Sequence, residues 1–219
     1  HGLLGMGPNG ARPKLASRRV AVAGAAVAAA DPARSHPLLP GEVLPGALPG
    51  RLAEFSAGRH AARAAMVALG LPLAAIPMAD DRAPIWPEGV AGAITHSRSH
   101  CLAAVLSGAA GLGLDLEEDV DLPVDLWSTI LLPEERDWVL RQDHPGRAAT
   151  LVFSAKEAAY KAQYAHSLSL FGFDTLRLAF QGDAFAAMFC RPVSPFAAGD
   201  RIPGRWGRAE GHVLTVALA

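Results

Sequence analysis

From Leu52 through Phe55, Ala62 and Met66 to Leu69, apolar side chains recur at helical spacing, which predicts an amphipathic helix that Gly70 and Pro72 terminate. Arg51, Arg59 and Arg63 stand on this helix, the last two four residues apart and so on one face. Farther along, the period changes to two. Leu112-Gly113-Leu114-Asp115-Leu116-Glu117 alternates strictly, predicting a strand that buries three leucines and sets Asp115 and Glu117 side by side on its other face. Ala93 to His96 and Cys101 to Leu106 read as a hairpin, and Leu176 to Phe180, Ala184 to Cys190 and Val213 to Leu218 as further strands. Pro133 opens a helix through Glu135 and Trp138, and Ser154 opens one running to about His166.

Between these segments lie stretches of other character. Asp31 to Gly50 is rich in proline and reads as a long connection. Arg18-Arg19 followed by the apolar run Val20 to Ala30 has two readings: a secretory or twin-arginine signal, or a buried first strand at Val20 to Ala23. The run is too short for a bilayer span, which needs about 20 apolar residues. Residues 1–17, with several glycines, are expected to be a flexible terminus. His100-Cys101-Leu102-Ala103-Ala104-Val105-Leu106 is echoed by His212-Val213-Leu214-Thr215-Val216-Ala217-Leu218, which leaves a duplication and a chance pair of apolar strands both open.

Composition narrows the functional classes. In 219 residues with 51% hydrophobic content, a well-buried domain or two small packed ones are expected. A formal net charge of −1 excludes a bulk basic field for nucleic acid, so any phosphate site must be local. Cys101 and Cys190 are the only cysteines and lack metal-ligand spacing, which argues against structural zinc and a disulfide scaffold and fits a reducing cytosol.

Three constellations carry candidate chemistry. Asp115 and Glu117 present two hard oxygen ligands in one direction, which suits Mg²⁺, an ion content with few carboxylates plus waters and substrate phosphates; the other reading is a solvated face of an edge strand. Glu157 and Lys161 are four apart on a helical face. Ser154 with Glu157 fits a capping box and Glu157 with Lys161 an ordinary ion pair, whereas the chemical alternative joins Glu157 to the other two carboxylates and sets Lys161 against a phosphoryl group. His96 and His100 lack a third nitrogen or sulfur ligand nearby, so His96 is better read as a phosphate donor than as a zinc ligand.

Gly58-Arg59, Trp86-Pro87 with Gly92-Ala93-Ile94-Thr95-His96, Gly113-Leu114-Asp115-Leu116-Glu117, and Phe153-Ser154-Ala155-Lys156-Glu157 with Tyr160-Lys161, in this order, resemble the 4′-phosphopantetheinyl transferase superfamily, in particular its larger pseudodimeric members such as enterobactin synthetase component D. The resemblance implies an α+β fold of two similar halves with the active site between them, here expected at 18–107 and 108–219, the second half carrying the metal site. It implies that Asp115, Glu117 and Glu157 hold Mg²⁺, that Asp115, Glu157 and Lys161 are the catalytic group, and that Arg51, Arg59, Arg82, Thr95, His96, Lys156 and Lys161 bind coenzyme A. Arg51 and Arg59 would meet the 3′-phosphate, His96 the pyrophosphate, and Arg82 another nucleotide phosphate. Ala93 departs from the family pattern by replacing a serine. The implied partners are coenzyme A and apo acyl or peptidyl carrier proteins of siderophore, polyketide or nonribosomal peptide synthesis, met by a cytoplasmic monomer without nucleic acid or membrane. A Mg²⁺-dependent phosphohydrolase and a non-catalytic coenzyme A or carrier-binding module are the competing functions.

Overall fold

Pro49 at the first helical position starts α1 (Pro49–Ala68), three residues ahead of the apolar periodicity, because its missing N–H costs nothing there. In the computed structural model, which describes residues 24–108 and 111–219, Gly70 ends α1 with φ +73°, and Gly70 and Leu71 donate back to the carbonyls of Val67 and Met66. That is a Schellman stop, built on the backbone freedom of glycine. α1 lies on an antiparallel three-stranded sheet in the order β1-β3-β2, where β1 is Ala25–Ala30, β2 Val90–His96 and β3 Cys101–Ser107. Ala61, Ala62, Ala65 and Met66 of the helix pack on Ala103 and Val105 of the central strand. The expected hairpin is therefore present, whereas the strand expected at Val20 to Ala23 lies outside the described residues.

β4 (Leu112–Glu118) buries Leu112, Leu114 and Leu116 against Ala91, Ala93, Leu102, Ala104 and Leu106 of the first sheet. The opposite face of β4 is not solvated. It packs under α4 (Pro145–Ser167), and a Cβ on Gly113 would overlap the carbonyl oxygen of Ala158, so only glycine lets helix and strand approach this closely. β4 forms the edge of a five-stranded antiparallel sheet, β4-β8-β7-β6-β5, with β5 Leu176–Gln181, β6 Ala184–Phe189, β7 Arg201–Ala209 and β8 His212–Leu218. Two short helices, α2 (Trp127–Ile130) and α3 (Pro133–Leu140), close the end of its core.

Two expectations need correction. α4 begins at Pro145, not Ser154: Ala148, Ala149, Leu151 and Val152 are already buried on it, and Ser154 is a fully buried mid-helix residue 2.9 Å from the Thr215 hydroxyl. Ser154 and Glu157 thus form no capping box. β7 was not foreseen, since its run Arg201-Ile202-Pro203-Gly204-Arg205-Trp206-Gly207-Arg208-Ala209 has little apolar alternation; its strand character comes from pairing with β6 and β8 on either side. The fold is α+β, each sheet carrying one long helix. Among the described residues no helix is long and apolar enough to cross a membrane.

Candidate functional site

Where α1, β2, the 81–86 loop and α4 meet, they enclose a cavity of about 660 Å³, well within the range of small-molecule sites. One wall is cationic. Arg51 leaves the first turn of α1, with Nη1 2.9 Å from Glu54 Oε2 and 3.0 Å from His96 Nε2. An arginine can only donate, so this ring nitrogen accepts and His96 is neutral; burial, only partly countered by Glu54, likewise lowers its pKa. Arg59, two turns on, is buried, lies 4.2 Å over the Phe55 ring and donates through Nε to the Ile76 carbonyl at 2.7 Å. Burial pushes its pKa down to about 10, so it stays charged at neutral pH. Arg82 borders the same space from a left-handed conformation, φ +72°, an uncommon and strained state for a non-glycine residue. Its loop is tied to α4 by the Tyr164 hydroxyl, which donates to Asp81.

Across the cavity stands one ammonium, with acids packed behind and beside it. Lys161 Nζ donates to Asp115 Oδ1 at 2.6 Å and to the Leu114 carbonyl at 3.1 Å. The other oxygen of Asp115, Oδ2, is buried and has no hydrogen-bond partner, a state that costs free energy unless something else satisfies it. Burial first, and then the Asp115 carboxylate, push Glu117 up to about 7. Burial and the same carboxylate also raise Glu157, against the pull of Lys161. Three acids therefore crowd one electrostatic neighbourhood, although among the described residues no three His, Cys, Asp or Glu side chains converge on a metal-sized point. Glu117 opens instead on a second cavity of about 450 Å³ shared with Glu54, His96 and Phe153, and Glu157 on a small one of about 90 Å³ beside Tyr160 and Phe171.

The model of the 4′-phosphopantetheinyl transferase N-terminal domain matches residues 39–106, and that of the 4′-phosphopantetheinyl transferase superfamily matches residues 111–217. The chain is 40% identical over 182 residues to the 4′-phosphopantetheinyl transferase Svp of Streptomyces mobaraensis, covering 77% of this chain and 72% of that protein. The chain belongs to the 4′-phosphopantetheinyl transferase superfamily. It is also 34% identical to the 4′-phosphopantetheinyl transferase Npt of Nocardia iowensis, over 75% of this chain and 81% of the relative, and 30% identical to enterobactin synthase component D of Salmonella typhi, over 77% and 72%.

Within this transferase, two of the residues assigned to coenzyme A from sequence are used elsewhere. Thr95 is buried between the sheets, where its hydroxyl accepts the Leu116 N–H at 3.2 Å, so it bridges β2 to β4 behind the cavity wall. Lys156 is buried inside the C-terminal half, its ammonium 2.7 Å from Glu135 Oε2 and donating to the Ile130 and Phe173 carbonyls at 2.8 Å each. All three of its protons are taken by the fold. The structure brings Arg51, Arg59, Arg82, His96 and Lys161 to one cavity, with Ala93 in its floor. Sequence reasoning gave no role to Glu54, Trp86, Tyr160 and Tyr164, which also line it. The tyrosines carried a signal, being four apart on the helical face that holds Glu157 and Lys161.

Proposed function

We propose that this transferase moves the 4′-phosphopantetheine arm of coenzyme A onto a serine of an apo acyl or peptidyl carrier protein, releasing adenosine 3′,5′-bisphosphate. The observation that carries this reading is one cavity with a wall of guanidinium groups, Arg51, Arg59 and Arg82, and a second wall from which Lys161 projects, bound to the buried Asp115 behind it, with Glu117 and Glu157 in the same electrostatic neighbourhood. The first wall suits the nucleotide phosphates, with Arg51 and Arg59 toward the 3′-phosphate. The second suits the pyrophosphate, where the serine oxygen bonds to the β-phosphorus and the phosphoanhydride oxygen leaves with the bisphosphate. Lys161, which lines this side of the cavity, is the candidate to neutralise charge growing on that leaving oxygen. Glu157, its pKa raised by burial, is the candidate acceptor of the serine proton, since a base with pKa nearer neutrality transfers protons more effectively.

The chemistry of the donors suits Mg²⁺, although the three carboxylates would have to turn toward one point to hold it. Asp115 Oδ2 is a buried hard oxygen with no hydrogen-bond donor on it, Glu117 and Glu157 share its electrostatic neighbourhood, and this ion takes one or two carboxylates with substrate phosphates instead of a closed protein cage. Asp115, Glu117 and Glu157 would hold it, and when bound it supplies positive charge to the pyrophosphate oxygens. Asp115→Ala removes the unpartnered oxygen while leaving the leucine face of β4 intact. A fold of two similar halves, 18–107 and 108–219, with the site between them accords with this scheme and is supported by the helix-on-antiparallel-sheet build of each. A cytoplasmic setting goes with it, both cysteines being free. The enterobactin relative supports a siderophore-type carrier among the acceptors.

Incubation with coenzyme A, Mg²⁺ and an apo carrier protein tests the proposal through the intact mass of the carrier. The expected result is a gain of one phosphopantetheine, lost in Asp115→Ala at unchanged melting temperature. Free phosphate with an unmodified carrier would mark a phosphohydrolase, and no change in either a binding module.

A further inference from the structure

Glu42 lies in the proline-rich connection ahead of α1 and is not among the residues lining the cavity, yet its side chain is completely buried. Its two oxygens collect three donors. Oε1 accepts the Ile76 N–H at 2.9 Å; Oε2 accepts the Leu39 N–H at 2.9 Å and a guanidinium N–H of Arg63, whose other arm donates to the Pro37 carbonyl at 2.6 Å. Glu42 thereby holds Ile76 by its N–H, and the carbonyl of the same residue, in the next peptide unit, takes the 2.7 Å hydrogen bond from Arg59 Nε. Glu42, Ile76 and Arg59 thus form one continuous relay, and its far end is a cation in the cavity wall.

We infer that Glu42 is a positioning residue for coenzyme A binding, setting the direction of the Arg59 guanidinium through the Ile76 backbone. The inference rests on the proposed engagement of the 3′-phosphate by Arg59. With Nε committed to the carbonyl and the planar group laid over the Phe55 ring, the fork has no freedom to search for its phosphate, and its aim is inherited from whatever fixes residue 76. Burial lowers the pKa of Arg59, and Glu42 is the foremost group opposing that fall, so the same carboxylate supports the charge as well as the direction. Arg63 occupies the acid directly and is spent on the connection. The two arginines sharing one helical face therefore differ in purpose, Arg63 anchoring the relay and Arg59 using it.

Glu42→Gln tests this with little change in shape, because an amide offers one acceptor oxygen where two are in use and must turn its NH₂ toward donors. The readouts are kcat and KM for coenzyme A and for 3′-dephospho-coenzyme A in Glu42→Gln, Arg59→Ala and the double variant. The expected result is a rise of about tenfold in KM for coenzyme A in Glu42→Gln, with kcat and the KM for the dephospho compound within about twofold of the parent. In the double variant the ratio of the two KM values should be no worse than in Arg59→Ala alone. A changed ratio in Arg59→Ala with an unchanged one in Glu42→Gln overturns the positioning role and leaves the phosphate reading standing. An unchanged ratio in Arg59→Ala overturns both. If Glu42→Gln does not fold, Glu42→Asp keeps the charge but is one methylene too short to hold Ile76 and Leu39 together, and it must show the same selective loss; equal losses for both substrates, or a fall in kcat alone, would make Glu42 a stabilising residue only.

Discussion

The two helix-on-sheet regions share a plan and differ in what they do with buried charge. In the N-terminal region the buried acid is Glu42 and the buried cations, Arg59 and Arg63, stand on α1, Arg59 reaching the cavity. In the C-terminal region the arrangement is mirrored: α4 carries two lysines, of which Lys156 is locked onto Glu135 inside the core and Lys161 meets Asp115 at the cavity. Each region thus spends one ion pair on its own architecture and turns a second charged group outward. The difference lies in what stands behind the outward cation. The first region presents guanidinium groups to the cavity, and the second an ammonium backed by a buried carboxylate, the two sets proposed above for the nucleotide phosphates and the pyrophosphate.

The largest expected effect breaks the architectural pair of the second region. Lys156→Met leaves Glu135 charged and buried without its partner, a loss of about 3–5 kcal/mol, which denaturant unfolding would report; transfer per folded molecule should stay near that of the parent. Next comes the outward group. Glu157→Gln removes the basic oxygen, and turnover should fall by at least about a hundredfold with the melting temperature little changed. A variant with normal transfer would return Glu157 to an ordinary surface role. Smaller again is Thr95→Val, which keeps the shape of the bridge but strands the Leu116 N–H, costing about 1–3 kcal/mol; KM for coenzyme A should not move, and a rise in it would restore Thr95 to the binding set. The mildest probe touches the cysteines. Burial pushes Cys101 up to about 12 whereas Cys190 is exposed, so mass spectrometry after brief treatment of the native protein with a thiol reagent at neutral pH should find a single label, on Cys190.

What the sequence disclosed follows from which residues carry a repeating pattern. β4 was readable because its three leucines answer the first sheet at every second position, and α1 because its apolar stripe has charged residues beside it. The beginning of α4 was hidden. Its first turns bury mainly alanines, which give a weak contrast, while Ser154 and Glu157 imitate a helix start that the chain does not use. β7 is a strand by virtue of its neighbours, and neither arginine nor glycine spacing announces that. At the site, the acids and Lys161 were marked by local motifs, but the motif containing Lys156 hid a divergence: residues five apart on a helix point about 140° away from each other, so Lys156 and Lys161 could not share a ligand. Glu54 and the Glu42 relay depend on contacts between distant segments, which no local pattern encodes.

The Tyr164 hydroxyl that reaches across to Asp81 has a further consequence for how the protein is made. A ribosome extrudes the cationic wall of the cavity long before α4, so the nascent chain carries its arginines through synthesis with no opposite wall to face. The pocket comes into being only when the second long helix has left the exit tunnel and folded back. Until that moment the cavity has one wall only.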